Sequence, residues 1–231
     1  MKALISCELC KKFENVTGIE AIPLYPYDKL DRPVSCHADM LFCVIDNTIF
    51  CYEDYIRRSK ELENAVLSSG KSIIYVQKEC DKKYPCDIGL NVLVMGKRAF
   101  CNSKHTAEEI IEYLKKNGYK IVDVKQGYSA CSTLALGEGC AVTSDIGMKN
   151  ALEKEGIEVL LISNKDIVLC GYNCGFIGGA TAVIDKKVYF CGSDSEASKI
   201  EGLFGFLADK GYSIESFSSG DVADFGGIKL I

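Results

Sequence analysis

One structural plan, repeated along the chain, constrains the fold more than any other feature of the sequence. Each copy has a short apolar strand, a tight turn, a second apolar strand, an amphipathic helix that ends at a glycine, and a third strand rich in β-branched residues. Four copies open with CHADMLFCVIDNTIFCYE, DIGLNVLVMGKRAFCNS, CSTLALGEGCAVTSD and GFIGGATAVIDKKVYFCGS. Because the same order of patterns recurs four times, it predicts four similar α/β modules.

Turn and cap residues set the predicted limits of the elements in each module. We predict hairpin turns at Asp46-Asn47, Gly96-Lys97, Glu138-Gly139 and Lys186-Lys187. The helices are predicted over residues 54–69, from the cap at Thr106 to Gly118, and over residues 145–155 and 195–210. In the second helix, Thr106 and Glu109 have the spacing of a capping box.

The two ends of the chain supply a fifth module in two pieces. The C-terminal segment DFGGIKLI has the pattern of a first strand, and KALISCELCKKFENVTGIEAIPLY supplies a second strand, a helix closing at Gly18 and a third strand. Pairing between the terminal strands would close a ring. We therefore predict a single domain over residues 1–231, a five-module (ββαβ) pseudo-fivefold α/β propeller with first strands around a central channel. The proline-rich segment Pro23–Ser35 is a connection inside this domain.

Composition excludes several classes of protein. The net charge is -5 and the basic residues are scattered, which argues against a nucleic-acid partner. No apolar run reaches the roughly 18 residues of a membrane helix, and the start MKALISCELCKK does not have the pattern of a signal peptide. Thirteen cysteines without such a signal are typical of a reducing compartment. We expect a cytoplasmic protein without membrane partners, and its oligomeric state stays open.

Three short motifs add a family resemblance to this plan. Asp224 precedes Gly226-Gly227 in the split module, His37 and Asp39 form a His-x-Asp in the next module around the ring, and Cys131 lies two modules further on. Five ββαβ modules with these motifs resemble the pentein superfamily of guanidine-modifying enzymes, and the resemblance covers essentially the whole chain at the level of the repeat. The superfamily includes arginine and agmatine deiminases, amidinotransferases, dimethylargininase and a noncatalytic ribosome anti-association factor.

The resemblance implies a catalytic set of Cys131, His37, Asp39 and Asp224. In this chemistry, paired carboxylates hold the planar guanidinium, a Cys thiolate attacks its carbon, and a His protonates the departing amine. His37 and Asp39 alternate along a predicted strand, so both are expected to face the channel. Cys131 is expected to begin a first strand, and its thiol should have a pKa depressed by a cation such as His37. Most other cysteines fall among apolar strand residues and are interpreted as core.

Six further residues are candidates for ligand binding because they flank the predicted channel mouth: Asn91, Asp87, Ser132, Thr133, Gly178 and Gly179. Asn91 and Asp87 have an alternative as ordinary strand-end residues, and two glycines in a strand mark the approach of a ligand or of a neighbouring backbone. No metal or cofactor is expected, since the lone Cys7-x-x-Cys10 has no partner pair and no phosphate-binding loop follows Gly178-Gly179.

The sequence leaves two main functions open, and a third possibility keeps the same site but acts on a substrate other than a guanidine. One is a hydrolase or amidinotransferase that acts through Cys131 on a small guanidinium-like cation in the central channel. The other is a noncatalytic binding or scaffold protein, because the C-terminal strand carries Lys229 and Leu230 where the enzymes usually have their Cys, and DFGG lacks a second carboxylate. The two functions differ in whether Cys131 and His37 meet across one pocket.

Overall fold

The computed structural model describes all 231 residues. Its strands in chain order are β1 (Lys2–Ser6), β2 (Glu20–Leu24), β3 (Phe42–Ile45), β4 (Thr48–Cys51), β5 (Ser72–Tyr75), β6 (Leu93–Met95), β7 (Arg98–Cys101), β8 (Lys120–Asp123), β9 (Thr133–Leu136), β10 (Cys140–Thr143), β11 (Glu158–Leu161), β12 (Ile167–Val168), β13 (Thr181–Ile184), β14 (Lys187–Phe190), β15 (Ser213–Ser216), β16 (Val222–Ala223) and β17 (Lys229–Leu230). Its α-helices are α1 (Cys10–Thr17), α2 (Ala38–Leu41), α3 (Glu53–Ile56), α4 (Lys60–Leu67), α5 (Glu108–Lys116), α6 (Ile146–Lys154), α7 (Asp194–Ala197) and α8 (Leu203–Asp209). A 3₁₀ turn covers Arg32–Val34.

The strands form five three-stranded sheets of the same kind, as the repeat predicts. Four have the orders β3-β4-β5, β6-β7-β8, β9-β10-β11 and β13-β14-β15, each an antiparallel hairpin whose second strand pairs in parallel with the third. The fifth, β17-β1-β2, joins the two ends of the chain, with Ala3 opposite Leu230. A short parallel pair, β12-β16, lies outside these five sheets.

The first strands of all five sheets meet around one cavity of about 440 Å³. Its walls include Val44, Val94, Ala135, Val183 and Lys229, one residue from each first strand. On the outer side of β4, Phe50 is fully buried and packs edge-on against Tyr113 of α5. Because α5 belongs to the next module, this contact couples neighbouring modules. No helix is long and apolar enough to cross a membrane.

The predicted helices are correct in place, but two of them are divided. Residues 54–69 form α3 and α4 because the hydroxyl of Ser59 accepts the N–H of Leu62 and starts a new helix. Residues 195–210 form α7 and α8, separated by Gly202 in the left-handed region at φ 75°. The capping box is wrong, since α5 begins after Ala107 and the Thr106 hydroxyl donates to the carbonyl of Asn102.

Turn positions agree with the sequence at three hairpins, with one shifted by a residue. Asp46, Gly96 and the segment 137–139 connect their strands as expected. The fourth turn is at Asp185-Lys186, because β14 already begins at Lys187 and Asp185 takes the positive φ of 55° that the turn requires. The helix predicted over residues 145–155 is α6, and Asp145 caps it by accepting the N–H of Met148 at 2.7 Å.

Candidate active site

Three residues that the sequence singled out line one pocket. Cys131, His37 and Asp224 lie around a cavity of about 270 Å³, although they come from three modules. Asp39 lies beside them and lines the central cavity formed by the first strands. The fold therefore brings together residues that are far apart in the sequence.

His37 and Asp39 are positioned by a helical turn, not by the strand that the sequence predicted. His37 caps α2, and β3 begins only at Phe42. A contact from another module supports this turn, since the N–H of Asp39, which has no acceptor within the first turn of the helix, donates to the carbonyl of Gly226 at 3.1 Å. Gly226 has φ 80°, and a Cβ on it would collide with the Cα and Cβ of His37. A glycine at 226 is therefore required for the approach of these two segments.

Asp224 is fixed next to the His37 ring. Its Oδ1 lies 3.7 Å from His37 Nδ1 and accepts the N–H of Gly226 at 3.0 Å. Its Oδ2 accepts the N–H of Phe176 at 2.9 Å. Burial raises the pKa of Asp224, and His37 together with the two backbone N–H groups opposes that rise. The carboxylate can thus orient the imidazole.

Cys131 lies in a turn before β9 and is only 4% exposed. Its Sγ accepts a hydrogen bond from Asn91 Nδ2 at 2.9 Å, and its carbonyl accepts the N–H of Gly179 at 3.0 Å. Burial raises the pKa of the thiol well above its ordinary value, and the negative charges of Asp39 and Asp224 raise it further. The expected depressed pKa is therefore wrong, because desolvation of the buried sulfur, followed by the charges of two carboxylates, raises the pKa.

Asn91 connects the two halves of the site. Its Nδ2 also lies 3.2 Å from the carbonyl of Asp39, and its Oδ1 accepts the N–H of Ala130 at 2.8 Å. The residue is 1% exposed and lies in the loop before β6, not in the strand. Its amide groups are occupied by protein atoms, so the structure gives Asn91 the geometry of a positioning residue for Cys131.

Asp39 carries a carboxylate oxygen with no partner. Its Oδ1 is buried without a hydrogen bond. Burial raises the pKa of Asp39 to about 6, and the charge of Asp224 acts in the same direction, while His37, Lys229 and a hydrogen bond with the Cys131 thiol oppose it. An unpaired buried acceptor is costly, and a cationic ligand with N–H donors would satisfy it.

Gly178 and Gly179 precede β13 and make room for protein atoms. A Cβ on Gly178 would lie 2.6 Å from the carbonyl oxygen of Cys131. A Cβ on Gly179 would lie 2.6 Å from Cγ of Asp224. Of the two alternatives open from the sequence, these contacts fit the close approach of neighbouring protein groups. The glycines allow Cys131 and Asp224 to come together.

The remaining three candidates, Asp87, Ser132 and Thr133, have other surroundings. Asp87 Oδ2 accepts a hydrogen bond from the Tyr128 hydroxyl at 2.6 Å, and burial raises the pKa of Asp87. Ser132 is fully buried and donates to the carbonyl of Ser129. Thr133 lines the central cavity. None of the three lines the pocket that holds Cys131.

The sequence did not predict one part of the pocket wall. Residues 169–176, between β12 and β13, contribute Leu169, Tyr172 and Phe176 to its wall. The Tyr172 hydroxyl donates to Asp31 Oδ2 at 3.0 Å and ties this segment to the 3₁₀ turn. The segment has no strand or helix periodicity, and its only signal was two aromatic residues just before Gly178-Gly179.

The cysteines were also considered as metal ligands in the sequence, at Cys7-x-x-Cys10. All thirteen cysteines have free thiols. No group of three or more His, Cys, Asp or Glu side chains is arranged to hold a metal ion.

Comparison with solved structures identifies the class of fold. SxtG, an amidinotransferase of saxitoxin biosynthesis from Microseira wollei, is 12% identical with a TM-score of 0.57, covering 89% of this chain and 72% of that chain. A dimethylarginine dimethylaminohydrolase variant with an S-methyl-L-thiocitrulline adduct is 10% identical with a TM-score of 0.53, covering 93% and 91%. An inosamine-phosphate amidinotransferase from Streptomyces griseus is 12% identical with a TM-score of 0.53, covering 95% and 75%. The chain has the pentein fold, which confirms the resemblance found in the sequence.

The family follows from the sequence itself. Residues 2–229 match a family described as "Family of unknown function (DUF6873)", and the chain belongs to this family. No curated protein matches the sequence.

Proposed function

We propose that this protein is a cysteine-dependent enzyme that hydrolyses a guanidinium-like substrate or transfers its amidino group. Cys131 is the nucleophile, His37 the general acid and base, Asp224 the residue that orients His37, and Asp39 a carboxylate for the substrate cation. The observation that carries the proposal is the shared pocket of Cys131, His37 and Asp224, with the unpartnered oxygen of Asp39 beside it.

The electrostatics support activation of the thiol by the substrate. In the unliganded site, burial and two carboxylates raise the pKa of Cys131, so the sulfur rests as a thiol. A guanidinium bound beside Asp39 and Asp224 compensates their charge and adds its own positive charge near the sulfur. Both effects lower the pKa of Cys131, and the proton passes to His37.

The bond changes then follow from this arrangement. The thiolate of Cys131 attacks the guanidinium carbon and forms a C–S bond. A C–N bond breaks as His37 returns its proton to the departing amine, leaving a thiouronium on the sulfur. Water, or an acceptor amine, attacks the same carbon while His37 takes its proton, and the C–S bond breaks to release the product. Asp224 stabilises the imidazolium during both proton transfers.

Alkylation with 2-chloroacetamidine, a cationic analogue of the reacting group, tests the proposal. We expect Cys131 to be modified in preference to the exposed Cys86 and Cys170 near neutral pH, as located by mass spectrometry. The rate should fall in His37→Ala and the label should disappear in Cys131→Ser. Cys174→Ser, which changes another thiol of the same pocket, serves as the matched control. Slow, uniform labelling of the accessible cysteines would support the noncatalytic binding protein instead.

A further inference from the structure

Away from Cys131 and His37, the side chains that line the pocket restrict the chemical character of the substrate that can bind. We propose that the substrate is a guanidine or amidine with an uncharged, apolar tail, and that molecules carrying a carboxylate on this tail are excluded. The inference rests on the proposed function and adds the chemical class of the group attached to the reacting centre.

The walls around the tail are apolar and aromatic. Besides His37 and Asp224, the pocket is lined mainly by Val34, Met40, Tyr128, Leu169, Tyr172 and Phe176. The ring centroids of Tyr128 and Phe176 lie 6.1 Å apart, so the two rings are neighbours in the pocket wall. No lysine or arginine lines this pocket. A volume of about 270 Å³ suits a short alkyl chain or one aromatic ring.

The two tyrosine hydroxyls cannot replace the missing cation. Tyr128 donates its proton to Asp87 at 2.6 Å, and Tyr172 donates its proton to Asp31 at 3.0 Å. Each hydroxyl proton is therefore committed to a carboxylate. A substrate anion approaching either hydroxyl would meet the oxygen lone pairs and the negative charge behind them.

The charges around the pocket explain the exclusion. A carboxylate on the substrate would lose its water and face Asp224, Asp87 and Asp31 without a positive partner. Burial of an unpaired charge opposes binding strongly, whereas an apolar tail gains from leaving water. The expected preference for the uncharged tail is at least about tenfold in affinity.

Arg32 carries a positive charge close to this pocket. It lines a neighbouring cavity of about 430 Å³, which shares His37, Leu169 and Asp224 with the pocket. A substrate carboxylate could bind Arg32 only by passing out of the apolar pocket into this second cavity. The variant Arg32→Ala, which lacks this cation, therefore tests whether the second cavity contributes to binding of a substrate carboxylate.

Two matched pairs of compounds test the inference by binding. Butylguanidine is compared with 4-guanidinobutanoate, and benzylguanidine with 4-(guanidinomethyl)benzoate, by calorimetry and by the increase in melting temperature of the full chain. We expect the uncharged member of each pair to bind at least about tenfold more tightly. The same preference should persist in Arg32→Ala. In Asn173→Arg, which adds a cation at the exposed rim of the pocket, the preference should shrink or reverse, whereas Asn173→Gln should keep it.

The outcomes separate this inference from the function on which it rests. Equal or tighter binding of the acids to the unmodified protein overturns the inference, even if 2-chloroacetamidine labels Cys131 selectively. Absence of binding by all four compounds also overturns it. If the uncharged compounds bind with the expected preference while Cys131 is neither labelled nor able to turn them over, the tail preference stands and the proposed catalysis fails.

Discussion

The imidazole Nδ1 of His37 lies 3.7 Å from the Oδ1 of Asp224, and both side chains are almost completely buried. Two backbone N–H groups hold the carboxylate, so its position does not depend on the histidine. With Nδ1 facing Asp224, Nε2 is the ring nitrogen left to exchange a proton with a ligand. This contact joins the module of β3-β4-β5 to the module formed by the two ends of the chain.

Asp224→Asn should change the selectivity of Cys131 for charged reagents. Removing this carboxylate lowers the pKa of the thiol and removes part of the attraction for a cation. We expect the ratio of the rate with 2-chloroacetamidine to the rate with neutral iodoacetamide to fall about tenfold. Mass-spectrometric rates at Cys131 measure it, and Asp221→Asn, an exposed acid nearby in sequence, is the control. An unchanged ratio would show that Asp224 does not act on the sulfur.

Asn91→Ala should destabilise the protein and loosen Cys131. The substitution removes the donor to Sγ and leaves the N–H of Ala130 and the carbonyl of Asp39 without their partner. We expect the free energy of unfolding to fall by about 2–4 kcal/mol in urea titrations. Asn150→Ala, at an exposed position of α6, should change it by less than about 0.5 kcal/mol. Similar values for the two variants would contradict the bonding role of Asn91.

Asp39→Asn should make stability less dependent on pH. The folded-state pKa of Asp39 is about 6, above its ordinary 3.8, so the folded state holds the proton more tightly. The resulting stabilisation is complete below pH of about 4 and is lost as the pH rises through 6. From pH 7.5 to pH 5, the unmodified protein should therefore gain about 1 kcal/mol relative to Asp39→Asn. Urea midpoints at both pH values measure this gain, which should be absent when Asp221→Asn is compared with the unmodified protein.

Gly226→Ala should be far more damaging than a similar change elsewhere. At Gly226 the φ of 80° and the contact with His37 both oppose a Cβ. At Gly18 the φ of 68° is similar, but nothing lies within 4 Å of the added atom. We expect Gly18→Ala to cost about 1 kcal/mol and Gly226→Ala at least about 3 kcal/mol, measured by thermal or urea unfolding. Equal costs would mean that backbone conformation alone requires Gly226.

The repeat pattern in the sequence was sufficient to predict the four continuous modules and the split fifth module. Turns such as Asp46-Asn47 and the cap at Asp145 are local signals, and both are present in the structure. Local signals failed where an interaction from another module competes with them. Alternation predicted a strand at His37-Ala38-Asp39, but these residues start a helical turn in which the N–H of Asp39 donates to the carbonyl of Gly226.

From the sequence, the repeat and the order of the motifs predicted the pentein fold, the split module and the four candidate residues Cys131, His37, Asp39 and Asp224. These features depend on periodicity, turn residues and motif order, all of which can be seen along one dimension. The three-dimensional structure was needed to find that Asn91 bonds the sulfur, that Gly178 and Gly179 make room for protein atoms, and that residues 169–176 cover the pocket. It also reversed the expected pKa shift of Cys131, because desolvation and charge depend on distances between modules that the order of residues does not specify.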